Sequence, residues 1–212
     1  MTNREQLHRA IERMQQERGV LRSKIGLLSQ EQLDFRPLRS SWSIGQVGHH
    51  VGLAEGVWQS YLSELLRNGA GGGNKTRKVT WREVPFRSRL VPNIVMESSL
   101  FQTPISMMLY LAPRPLQSMM FAVPIVRMEA SPRMQPEAGL PRSTILDSLD
   151  QVRAATLKIV EPSADWDLTN YRIDHPFVGN RDVYGMLDLI ASHDQRHNQQ
   201  IDTIRKSPRF PG

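Results

Sequence analysis

Four stretches of this chain repeat their apolar residues at steps of three and four, and this repeat constrains the fold more than any other sequence feature. The stretches are residues 2–28, 43–69, 141–161 and 181–206. Capping-box pairs, such as Ser43 with Gln46, mark the start of two of these stretches. Proline or glycine marks the start or the end of others. The sequence therefore predicts an all-α fold, a four-helix bundle, with connections of unequal length.

The connection between the second and third predicted helices is long and differs in composition from the rest of the chain. Residues 75–140 contain eight of the 14 prolines and seven of the 10 methionines, and they show no helical period. We predict one domain, residues 1–212, with a Pro/Met-rich insertion at about 70–140 whose short helices or extended pieces pack over the bundle. The methionines either line an adaptable apolar pocket or fill gaps, and gap-filling is the commoner reason. Residues 29–41 are predicted to be a connection, and 165–180 a loop with short strands.

Composition excludes several function classes. The 212 residues include no cysteine, so disulfides, thiolate metal ligands and a cysteine nucleophile are excluded. The first residues do not match a signal peptide, and prolines interrupt the most apolar region, so we expect a cytoplasmic protein without a membrane span. The net charge of +6 arises mostly within residues 69–141. A solvated basic loop explains this excess better than an anionic partner, because no nucleic-acid motif accompanies it.

Two histidines lie four residues apart on the apolar stripe of the last predicted helix. His193 and His197 would share one face of that helix, close enough to bind one ion. Two hydrogen-bonded core histidines are the alternative. On the second predicted helix, His50 shares the face of the apolar residues, whereas His49 points about 100° away. His49 then either lies at the flank of the helix or donates a hydrogen bond to a metal-coordinating residue.

Three neutral imidazoles and no thiolate suit Zn²⁺ or Ni²⁺ and leave a coordination position open. We therefore predict a divalent metal site at His50, His193 and His197. The segment from His193 to His197 also matches a zinc-protease pattern with Asp194 in place of glutamate, but the shorter carboxylate and the missing downstream ligand disfavour that reading. We expect Asp194 to be exposed or to contact a metal-coordinating residue. We expect Arg196 to lie at the surface or at the edge of the site.

Three segments resemble the DinB/YfiT-like superfamily of four-helix metalloenzymes. They are Trp42–Val51, His175–Gly179 and Leu189–Ile201, and they occur in the order of the family motifs. The resemblance covers about two thirds of the chain, and residues 75–140 depart from it. It implies a homodimer, one divalent ion per subunit and, in some members, the transfer of low-molecular-weight thiols such as bacillithiol or the use of mycothiol or glutathione.

The resemblance also assigns residues. It makes His50, which falls eight residues after Trp42, a metal ligand together with His193 and His197. His175 matches a position in the family loop, where it either takes part in catalysis or closes the loop with a hydrogen bond.

Three functions follow as hypotheses. The leading one is a metal-dependent thiol transferase or hydrolase that activates a small thiol or water for a small-molecule substrate. The second is a non-catalytic metal-binding or interaction module. The third and weakest is nucleic-acid binding through the basic insertion. The sequence leaves open the metal, the substrate, the reaction, the general base, the role of the insertion, and whether His49 or His175 takes part.

Overall fold

The computed structural model describes residues 1–80, 83–84, 87–88, 128–129, 131–176 and 178–212, and these are mostly helical. Four long helices occur where the apolar repeat predicts them, and a short helix lies between the first two. In chain order they are α1 (Asn3–Gly26), α2 (Gln30–Asp34), α3 (Ile44–Ala70), α4 (Arg142–Val160) and α5 (Val183–Arg205).

Local chemistry explains where these helices begin. The side chains of Thr2 and Ser43 accept backbone N–H bonds at the starts of α1 and α3, and both capping boxes are complete. Asp182 caps α5 in the same manner through the N–H of Gly185. Ser29 and Gln32 form a third capping box, which begins α2 inside the stretch predicted to be a connection. That pattern was visible in the sequence.

The structure is mostly helical, as predicted, and a small sheet accompanies the helices. Strand β1 (Thr76–Lys78) pairs in parallel with β4 (Arg172–His175), which pairs in antiparallel register with β5 (Gly179–Asp182). Gly179 has a φ of 74°, which a glycine adopts without strain at this hairpin turn. The short strands predicted within 165–180 are thus confirmed. Strands β2 (Arg87–Ser88) and β3 (Met128–Glu129) form a separate antiparallel pair.

The long helices pack on one another, with α1 against α5, α3 against α4, and α3 also against α5. Their apolar faces form two buried clusters. On α5, Ile190 belongs to one cluster and Ile201 to the other. His193 and His197 therefore occupy the stretch of helix between the two clusters, where α5 faces α3.

Most of the predicted insertion lies outside the described residues, and so do its expected short helices and its methionine-rich segments. Of its described parts, β1 joins the sheet, and a 3₁₀ turn at Pro132–Met134 packs against α3. Within the described ranges, no helix is long and apolar enough to cross a membrane.

Candidate metal centre

The structure brings His50 of α3 together with His193 and His197 of α5. One ring nitrogen from each lies within 4.8 Å of the others, and such a group could hold a metal ion. The ring centroid of His50 lies 5.3 Å from that of His193 and 5.0 Å from that of His197. Among the described residues, no other set of three or more histidine, aspartate or glutamate side chains brings its ligand atoms this close together. The sequence-based choice of His50 over His49 is consistent with this arrangement.

The spacing of two ring nitrogens matches coordination of one ion. Nε2 of His193 lies 3.2 Å from Nε2 of His197. Two nitrogens bound at about 2.0–2.1 Å to a tetrahedral ion lie about 3.3 Å apart. A hydrogen bond between these two Nε2 atoms would also explain their distance. It would not explain why a nitrogen of His50 lies beside the same two atoms. A single cation would satisfy the three converging nitrogens, one from each ring.

Hydrogen bonds on the far side of two rings direct their free nitrogens inward. Nδ1 of His50 lies 2.8 Å from the carbonyl oxygen of Met134, and Nδ1 of His197 lies 2.8 Å from Oε1 of Gln200. Both partners are acceptors, so each Nδ1 donates and each Nε2 keeps its lone pair. Nδ1 of His193 is buried and has no partner among the described residues.

Burial holds the pKa of all three imidazoles below their ordinary value of 6.5. It lowers the pKa of His197 to about 3, and that of His193 well below the ordinary value, with neighbouring imidazoles adding to both effects. Burial also lowers the pKa of His50, which the Met134 carbonyl partly offsets. The charge of exposed Arg196 acts in the same direction as burial on each ring. The rings are therefore neutral at pH 7, the form that coordinates metal.

Two tryptophans flank the three histidines. Trp42 lies with its ring centroid 4.7 Å from that of His50, and Trp58 lies 4.8 Å from His193 in an edge-to-face arrangement. Apolar rings around such a centre limit the access of water and lower the local dielectric. The surroundings thus strengthen any electrostatic interaction made inside the group.

His49 and His175 have other partners. Nδ1 of His49 accepts a hydrogen bond of 3.0 Å from the backbone N–H of Glu137, so adjacent imidazoles of α3 both hold the segment that precedes α4. Nδ1 of His175 accepts from the N–H of Val178 at 3.4 Å, across the turn between β4 and β5. This is the loop-closing hydrogen bond that was one of the two alternatives for His175. Neither residue belongs to the three-histidine group.

Asp194 is buried, so the first of its two predicted positions, an exposed one, is wrong. Its carboxylate accepts hydrogen bonds from Nε of Arg18 at 2.9 Å and from Nη2 of Arg153 at 3.1 Å. Glu55 binds the same two arginines. Because both arginines engage the carboxylate, Asp194 is not placed as the general base of a zinc protease.

These four charged residues form a buried tetrad with one member on each long helix. Arg18 lies on α1, Glu55 on α3, Arg153 on α4 and Asp194 on α5, with side chains between 1% and 7% exposed. Burial alone would raise the pKa of Glu55, but the hydrogen bonds from Arg153 and the charge of Arg18 outweigh it and lower that pKa. The tetrad was not predicted from the sequence. The available signal was that each member interrupts an apolar stripe at a step of three or four.

Most of the chain resembles one known protein family. The family model described as the DinB superfamily matches residues 13–201, a range that includes all three histidines and all four long helices in whole or in part. No curated protein and no solved structure matches.

Proposed function

This chain belongs to the DinB superfamily, and we propose that it is a metal-dependent enzyme holding one divalent ion through His50, His193 and His197. The observation that carries the proposal is the convergence of three neutral imidazoles, two of them with Nε2 atoms 3.2 Å apart. Zinc or nickel fits a set of three nitrogen ligands without thiolate. The proposal includes a four-helix bundle as the fold and a homodimer as the assembly, both implied by the family, in the cytoplasm.

The groups around the centre have distinct tasks. The backbone carbonyl of Met134 holds His50 in the tautomer that presents Nε2. Trp42 and Trp58 restrict water at the rings. When bound, a divalent ion supplies positive charge that lowers the pKa of a water or thiol at its open position to near neutrality.

A thiol nucleophile would come from outside the chain, because the sequence contains no cysteine. With three protein ligands, the centre retains room for a water molecule or a low-molecular-weight thiol. Water would make the protein a hydrolase, and a small thiol would make it a thiol transferase acting on an electrophilic small molecule. Asp194 cannot serve as the base for either reaction while it binds Arg18 and Arg153.

Metal content tests the first part of the proposal. We expect the purified protein, dialysed against zinc or nickel, to retain about one ion per chain by elemental analysis. The triple variant His50→Ala, His193→Ala, His197→Ala should retain none. His49→Ala is the matched control, because it removes an adjacent imidazole that lies outside the group, and it should keep the ion. Equal metal content in the triple variant and the wild type would overturn the assignment.

Turnover tests the second part. Metal-loaded protein is incubated with a panel of small thiols and an electrophilic acceptor, and in parallel with ester and amide substrates in the absence of thiol. We expect turnover in one of the two assays that is lost in His50→Ala and kept in His49→Ala. Metal binding without turnover in either assay would favour a non-catalytic metal-binding module instead.

A further inference from the structure

Gln200 contacts the metal centre from the same helix that carries two of its histidines. It lies three residues after His197 on α5, and its Oε1 is 2.8 Å from Nδ1 of that ring. Residues three apart on a helix share a face, so the contact needs no rearrangement of the backbone. Gln200 is half-buried, which shields this hydrogen bond from competing water.

The chemistry of the ring determines the direction of this hydrogen bond. Nε2 of His197 faces Nε2 of His193, and a nitrogen that coordinates a metal carries no hydrogen. A neutral imidazole then has its hydrogen on Nδ1. Gln200 must therefore present its amide oxygen, and the ring must donate. Any side chain without an acceptor at this place would leave that N–H buried and unsatisfied.

The three rings differ in what holds them. His50 donates to the backbone carbonyl of Met134, an acceptor that side-chain substitution does not remove. His193 has no Nδ1 partner in the part of the chain that the structure describes. For His197 alone of these three described rings, a side-chain amide supplies the acceptor, so its contribution can be measured by substitution.

We propose that Gln200 is a positioning residue of the metal centre, which fixes the tautomer and orientation of His197 and thereby sets the affinity for the metal. The inference rests on the proposed function, since it presupposes that His197 is a ligand. A hydrogen bond from a ligating imidazole to an acceptor makes the ring more basic and restricts its rotation. Loss of such a partner typically weakens metal binding 10–100-fold.

Paired substitutions test this inference. Gln200→Met keeps length and helix propensity but removes the acceptor, whereas Gln200→Glu keeps an acceptor at the same reach. Gln199→Met is the matched control, because it makes the same change at the preceding exposed residue. Zinc dissociation constants are measured by competition with a chromophoric chelator, and the absorption of Co²⁺-loaded protein reports the geometry of the ligands.

We expect Gln200→Met to bind zinc about 10–100-fold more weakly and to change the Co²⁺ spectrum. Gln200→Glu should bind at least as tightly as the wild type, a rescue that a merely structural role would not produce. Gln199→Met should be unchanged. Equal zinc affinity in Gln200→Met and Gln199→Met would overturn the inference. If the wild type itself binds no metal, or binds it as well after His197→Ala, the proposed function fails instead.

Discussion

Four of the six histidines lie where burial lowers their pKa: His50, His175, His193 and His197. Each ring loses hydration, which penalises the charged form more than the neutral one. At three of them, the neutral ring is the form that a metal requires. At His175 the neutral ring is needed for a hydrogen bond. Its Nδ1 accepts the N–H of Val178, and it can do so only when it carries no hydrogen of its own.

His175 therefore makes stability depend on pH. Burial lowers its pKa to about 4 from an ordinary value of 6.5, so the unfolded chain binds more protons between these pH values. The free energy of unfolding should fall as pH decreases from about 6.5 to about 4, by about 2–3 kcal/mol between pH 7 and pH 4.5 from this residue. Urea unfolding of the metal-free protein at the two pH values measures the loss.

The comparison of variants isolates the contribution of this one ring, because other buried histidines act in the same direction. His175→Gln keeps an acceptor for the Val178 N–H and should show a smaller loss on acidification than the wild type. His8→Gln makes the same substitution at an exposed histidine and is the control. An identical pH dependence in all three proteins would contradict the prediction.

On the scale of elements, α3 packs tightly against α1 and α4 at Gly48, two residues before His50. A Cβ atom on Gly48 would lie 2.7 Å from Cδ1 of Ile25 on α1 and 2.8 Å from Cγ2 of Ile145 on α4. Both isoleucines are fully buried or nearly so, which leaves them little room to move. Two turns later, Gly56 has only Val152 within reach, at an ordinary 3.8 Å.

We predict opposite effects of alanine at these two glycines. Gly48→Ala should destabilise the protein, since overpacking costs about 1–3 kcal/mol and the gain in helix propensity is at most about 1 kcal/mol. Gly56→Ala should be neutral or stabilising by up to about 1 kcal/mol. Urea unfolding of both variants gives the signs. Shifts of the same sign and size would mean that α3 does not pack as closely near His50 as described.

For the whole molecule, the tetrad of Arg18, Glu55, Arg153 and Asp194 joins all four long helices through buried charges. Two positive and two negative groups balance, and backbone carbonyls accept further hydrogen bonds from the arginines. Asp194 directly follows His193, so the tetrad and the metal centre lie at the same level of α5. A buried set of this kind is sensitive to the loss of one member.

Removing one arginine from the tetrad should be strongly destabilising. Arg153→Met leaves buried carboxylate charge uncompensated and should cost about 3–5 kcal/mol. Arg22→Met is the control, since it breaks an ion pair with Asp150 in which both side chains are nearly half exposed, and should cost at most about 1 kcal/mol. Chemical or thermal unfolding measures both. Similar losses in the two variants would show that the tetrad contributes no more than a surface pair.

Much of the candidate site could be predicted from local pattern. The period of the apolar residues located the long helices, and the steps of three and four placed His193 and His197 on one face and selected His50 rather than His49. Helix geometry depends on neighbours within a turn, which are neighbours in sequence as well. The short helix α2 was missed although its capping box, Ser29 with Gln32, is equally local.

Other features depend on residues that are distant in sequence. The parallel pairing of β1 with β4 joins segments about a hundred residues apart, and the tetrad takes one charge from each long helix. The Met134 carbonyl reaches His50 from near the end of the long connection, 84 residues away in sequence. By itself, the sequence determined the helices, the absence of thiol ligands and three histidines able to meet. The tertiary structure decided which polar groups surround them, because a buried polar group selects its partners by distance in space, independently of their separation along the chain.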